Sequence, residues 1–179
     1  SNNTNDLIQL NLTNGTATAG NFFNSGDTTT TTFPLGSGDG QTNDSDGNSD
    51  SYIAYVWAEI PGFSKFGSYR GNNDSNGTYV NCGFKPAWVL IKRIDDTGFF
   101  WTLFDNVRRT INPNNHTLNP NNTNEEETGG GNGQVDFLSN GFKCRNTDGG
   151  INADGGNYIF LAFAESPQHN LYGASSNPR

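Results

Sequence analysis

Glu59 and Glu165 stand at matching places in a duplicated stretch, and a pair of carboxyl groups is what glycoside hydrolysis requires. The chemistry needs carboxyls roughly 5–9.5 Å apart across a sugar, one of them with a raised pKa. The duplication already explains why the residue recurs, so both glutamates read as strand ends that hydrogen-bond to the following loop. Asp44, Asp46, Asn48 and Asp50 alternate as calcium ligands do, because a hard cation wants several oxygens within one tight turn. The helix–loop–helix pattern needs Gly sixth and Glu twelfth, whereas Ser49 and Tyr55 fall there, so the stretch reads as a solvated turn. The Asp148 to Asp154 stretch reads the same way. His116 and His169 both lie in Asn-rich runs, with no packing signal to fix either as a base for Ser64 or Cys82. Phosphate-loop, dinucleotide and paired-cysteine zinc motifs do not occur. These residues therefore predict no enzyme, no cofactor and no metal site.

One ligand-binding pattern remains. Sugar rings stack on aromatic faces while amides and carboxylates satisfy hydroxyls, which makes Tyr69, Asn72, Asn73, Asp74 and Tyr79 a candidate glycan-contacting rim. Core packing is the competing reading for the aromatics. Cys82 and Cys144 can form one bridge or remain as two buried thiols, and the second reading is preferred for a domain of this size. Sequons at Asn14, Asn76 and Asn115 arise by chance in a chain so rich in Asn and Thr.

The elements that must position these residues follow from composition and patterning. Only 31% of residues are hydrophobic, yet 12% are aromatic and 23 are Gly, which points to a thin aromatic core among many turns. No helical period persists. The net charge of -8 argues against a nucleic-acid partner, since phosphate affinity comes from Lys and Arg. No apolar run reaches the roughly 20 residues that span a bilayer, so membrane insertion is not expected. Met is absent, and the chain is expected to be a processed product or part of a longer polypeptide.

SYIAYVWAEIPGFSKFGSY at 51–69 recurs as NYIFLAFAESPQHNLYGAS at 157–175, aligning Tyr52 with Tyr158, Ala58 with Ala164 and Pro61 with Pro167. A repeated strand with its exit loop is a mark of modular architecture. Both copies, 52–60 and 158–165, are apolar on both faces and read as interior strands covered on both sides. Further strands are expected at Leu7 to Leu12 and Thr28 to Leu35. A turn at Gly71 to Gly77 should join short segments around Tyr69 and Tyr79–Val80. Residues 85–94 and 99–105 form a hairpin, 106–134 a long loop, and Asn140-Gly141 turns a second hairpin between Phe137–Leu138 and Phe142–Lys143.

YIAYVWAEIPGFSKFGSY, GFKPAWVLIKRIDDTGFFWTLFD and VDFLSNGFKCRNTDGGINADGGNYIFLAFAESP together resemble a tandem module of tailed-phage virion proteins, of marine and cyanobacterial phages above all. Such modules sit in tail-fibre or similar appendages and resemble concanavalin, laminin-G or SPRY-type sandwiches. The resemblance covers about 52–167, and 7–43 resembles the closing half of a preceding, divergent module. It implies an all-β, antiparallel jelly-roll-like sandwich with long polar loops. It divides the chain into 1–51, closing a preceding module that shares strand 52–60, then 52–167 as the main sandwich and 168–179 as a polar tail or linker. The implied role is a non-enzymatic module of a virion tail fibre on the particle surface, serving host attachment or display with weak glycan contact. Its expected partners are other virion proteins and the host cell surface, in a homo-oligomer of trimeric type. A capsid decoration or head-fibre protein, and a host-polysaccharide depolymerase, are the alternatives.

Overall fold

The computed structural model describes residues 6–18, 29–36 and 51–167. The chain divides into two units, one of residues 1–8 and 16–57, the other of 9–15 and 58–179. The described structure is all-β, and no helix in it is long and apolar enough to cross a membrane.

In the first unit β1 (Asp6–Leu7) pairs antiparallel with β2 (Ala17–Thr18). The strand expected at Leu7 to Leu12 is present only at its start. The one expected at Thr28 to Leu35 does not form over 29–36. There the Thr29 hydroxyl accepts the N–H groups of Thr31 (3.2 Å) and Thr32 (2.9 Å). A local side-chain acceptor has taken donors that a ladder would have needed.

The second unit holds β3 (Ser64–Arg70), β4 (Tyr79–Asn81), β5 (Pro86–Arg93), β6 (Thr102–Asp105), β7 (Val135–Leu138), β8 (Gly141–Cys144) and β9 (Asn157–Ala164). They make two antiparallel sheets, one of order β3–β9–β5–β6 and one of order β4–β8–β7. Strand alternation sends Val89, Ile91, Phe104, Tyr158, Phe160 and Ala162 from the first sheet, and Val80, Val135, Phe137, Phe142 and Cys144 from the second, into one shared core. The thin aromatic core is thus a sandwich filling in which rings meet edge to face, Phe142 and Phe160 at 5.5 Å and Tyr69 and Phe142 at 6.0 Å. Both expected hairpins form, β5 with β6 and β7 with β8, and β9 is interior as its two apolar faces required.

Residues 9–15 belong to this unit because donors of the unit hold their carbonyls. Trp101 Nε1 donates to Gln9 O (3.2 Å), while Lys92 Nζ (3.3 Å) and Gly98 N (3.1 Å) donate to Thr13 O. Lys92, fully buried, also donates to Arg93 O at 2.7 Å, and burial lowers its pKa. The long 106–134 loop is tied down by paired bridges, Leu103 with Leu118, Asn114 with Val135 and Thr117 with Glu127.

The first copy of the repeat behaves differently from the second. Residues 52–59 form no strand, and Ile53, Tyr55, Val56 and Trp57 are 81%, 75%, 74% and 60% exposed, which corrects the reading of 52–60 as a buried interior strand. The ladder begins with a bridge between Ile60 and Ser64 and then stops. Ser64 Oγ donates to Ala58 O (3.0 Å) and accepts from Ile60 N (2.9 Å). Glu59 Oε1 takes the Phe66 N–H (3.1 Å), so two side chains occupy the groups that a continuing ladder would use. The two copies share a pattern, but only β9 has β3 and β5 on its flanks.

Candidate functional site

At one end of the sandwich two polar loops, 71–78 and 145–156, are braced by a single buried amide. Asn152, fully buried, accepts the Asn72 N–H on Oδ1 (3.1 Å). Through Nδ2 it donates to Asp74 O and Asn146 O, both at 2.9 Å. Its own carbonyl accepts the Asn73 N–H at 2.9 Å. The close approach depends on glycine. A Cβ at Gly71 would overlap the Ala153 carbonyl oxygen, and one at Gly77 would lie 2.7 Å from Asn152 Nδ2. Tyr158 supports the 145–156 loop from below, its hydroxyl donating to Gly149 O (2.9 Å) and accepting from Ala153 N (2.7 Å). In the same loop, burial raises the pKa of Asp148, against hydrogen bonds from Gly150 and Ile151 that favour its charged form.

The residues proposed for the rim divide between core and surface. Tyr69 packs on the core, its ring stacked on Tyr158 at 4.9 Å and its hydroxyl given to Ile151 O at 2.7 Å. Burial raises that phenol well above its ordinary pKa. Tyr69 is thus partly buried, with one ring face taken up by Tyr158. Asn72, Asn73 and Asp74 are exposed, as is Tyr79, whose hydroxyl reaches Asn140 O at 3.4 Å. Asn72 Oδ1 accepts from Asp74 N (3.1 Å) and Asp74 Oδ1 from Asn76 N (2.8 Å), with Asn73 between them in the left-handed region at φ 50°. These self-capping turns hold the exposed amides in one conformation.

The remaining candidates are scattered. Glu59 is bound to Lys65 Nζ at 2.8 Å and to Phe66 N, while Glu165 lies exposed beyond the end of β9. Glu59 therefore ends no strand of its own and bonds into β3 rather than to a following loop, and its pKa is lowered by the Lys65 and Phe66 hydrogen bonds. His116 Nδ1 lies 3.5 Å from Glu126, far along the chain from Ser64 and Cys82. Asp44 to Asp50 and His169 fall outside the described residues, as does the tail from 168. Sequence reasoning missed Asn152, which only its neighbours distinguish from the other asparagines. It also missed Asn114, fully buried and donating to Asp105 O at 2.7 Å.

A family described as "Domain of unknown function (DUF7483)" matches residues 1–167, nearly the whole chain. The chain belongs to the DUF7483 family. No curated protein and no solved structure matches it.

Two clefts open on the second unit of this DUF7483 domain. One, of about 540 Å3, is lined by Asn119, Asn124, Glu125, Glu126, Glu127 and Asn132. Its central Glu126 is already paired with Arg108 at 2.8 Å. Among the described residues no group of His, Cys, Asp or Glu is placed to hold a metal ion. The other cleft, of similar volume, is lined by Glu59, Pro61, Ser64, Lys65, Asn81 and Cys82.

Cys82 and Cys144 are free and buried, as preferred from the sequence. Burial pushes both thiols up to about 12, so near neutral pH they are protonated and poor nucleophiles. In the unfolded chain they release their protons from about pH 9, whereas the folded protein holds them to about pH 12. Stability is thus intact below pH 9 and lost as pH rises through that window. Melting curves across pH should be flat from about pH 6 to 8 and fall above 9, with Cys144 contributing at most about 1.4 kcal/mol per pH unit. Cys144→Ala, though less stable throughout, should decline less steeply, and an unchanged slope would contradict the assignment.

Proposed function

We propose that this chain is a non-enzymatic module of a phage virion appendage of the tail-fibre type, displaying polar loops for host attachment with weak glycan contact. The observation that carries the reading is the bracing of the 71–78 loop, which holds Asn72, Asn73 and Asp74 exposed at the end of a rigid sandwich. Neutral hydrogen-bonding groups fixed in one geometry suit sugar hydroxyls, because little conformational freedom remains to be lost on binding. The phage assignment itself rests on the sequence resemblance. Its partners are other virion proteins and the host surface, and repetition of weak sites in a homotrimer would raise avidity where geometry lets them engage together.

Purified protein should adhere to host cells or envelope polysaccharide without shortening the polymer. Glu59→Gln with Glu165→Gln should leave adhesion unchanged, whereas Asn73→Ala with Asp74→Ala should weaken it about tenfold, the equivalent of about 1.4 kcal/mol. Oligosaccharide release that disappears in the double glutamine variant would replace this reading with a depolymerase. Neither adhesion nor hydrolysis would replace it with a capsid decoration or head-fibre role.

A further inference from the structure

The segment from Ile53 to Ala58 carries an interior-strand sequence with no strand partner among the described residues. Its counterpart β9 shows what such a sequence pairs with. Along β3, Ser68 faces Ile159, Phe66 faces Leu161 and Ser64 faces Phe163, and the aligned residues of the first copy are Ile53, Tyr55 and Trp57. Exchange into the β9 slot is disfavoured, because Ala54 would stand where Phe160 meets Phe142 at 5.5 Å and would leave a hole between the sheets. Addition at a sheet edge remains.

Two edges are already closed. The outer side of β6 bonds to Leu118 through Leu103 in both directions, and β7 bonds likewise to Asn114 through Val135. The outer side of β3 is only partly closed. Glu59 takes the Phe66 N–H and Thr78 Oγ1 donates to Arg70 O (2.7 Å), so these residues direct their main-chain groups away from β9. Strand alternation puts the Ser68 N–H and C=O on that same outer edge, where Gly67, Ser68 and Arg70 are exposed. A chain that carries both an exposed edge and an exposed apolar strand sequence invites pairing between copies.

We propose that residues 53–58 of one copy add as an antiparallel strand to the outer edge of β3 in a second copy, centred on Ser68. Each chain then offers one donor segment and one acceptor edge, a heterologous contact that joins copies head to tail. Trp57 and Tyr55 of the donor come to the sheet face that already carries Phe63, Phe66 and Phe163, whose rings meet at 6.0 and 5.7 Å. This goes beyond the attachment reading and stands apart from it, since mass rather than adhesion decides it.

Native mass spectrometry with sedimentation velocity of the full chain should give an assembly of two or more copies whose population rises with concentration. Tyr55→Pro removes a donor N–H in a segment with no ladder of its own, and Ser68→Pro removes only the outward N–H of β3. Each should weaken assembly at least about tenfold, the first with an unchanged melting temperature. Chains carrying Tyr55→Cys mixed with chains carrying Ser68→Cys should form a mixed disulfide on oxidation, with the native thiols protected by burial. A monomer at every concentration, an assembly indifferent to both prolines, or no mixed disulfide would overturn the proposal.

Discussion

Phe160→Ala should destabilise the second unit by about 3–5 kcal/mol, the range for emptying a buried phenylalanine site. Phe160 is 3% exposed and central to its sheet, and its ring meets Phe142 of the facing sheet at 5.5 Å and Tyr69 at 6.4 Å. Removal opens a void between sheets whose backbones are fixed by ladders on both sides of β9, so collapse to fill it is limited. Thermal melts should show a drop of roughly 10–20 °C. Phe160→Leu, which keeps more of the volume, should lose much less. A loss below about 1 kcal/mol for the alanine variant would show that the sheets do not meet through this ring.

Asn152→Ala should cost about 3 kcal/mol by leaving the Asn72 N–H and the Asp74 and Asn146 carbonyls without their partner. Asn152→Asp should be no better, because a carboxylate oxygen would then face two carbonyl oxygens. Hydrogen exchange distinguishes this effect from general destabilisation. The Asn72 and Asn73 amides should lose protection by a larger factor than the β5 and β9 amides. Uniform loss across the sandwich would mean that Asn152 stabilises the fold without specifically bracing the loops.

Much of the sandwich was legible because its signals are local. Asn140-Gly141 announces the β7–β8 hairpin, Asp95 to Gly98 the bend between β5 and β6, and the doubly apolar Tyr158 to Ala164 an interior strand. β3 was harder to see in full. Lys65, Gly67 and Ser68 are poor strand formers taken singly, and its pairing with β9 spans nearly the whole unit. In the candidate site Asn72, Asn73 and Asp74 are exposed, whereas Tyr69 packs on the core, the alternative that its sequence had left open. In a half-buried strand, which face turns inward depends on register, and that is set by the neighbouring strand.

By itself, the sequence determined the all-β class, the two hairpins and the aromatic character of the core, because turn chemistry and two-residue alternation act over a few bonds. Tertiary structure alone decided that Asn152 joins two loops through contacts some 80 residues apart, that Tyr69 faces inward, and that only one copy of the repeat is a strand. The reason is common to all three. A side chain's pattern states what it is fit to pair with, but hydrogen bonds and burial need a partner brought near by the rest of the chain. Residues 157–164 lie between β3 and β5, while 52–58 carry the same pattern and form no strand.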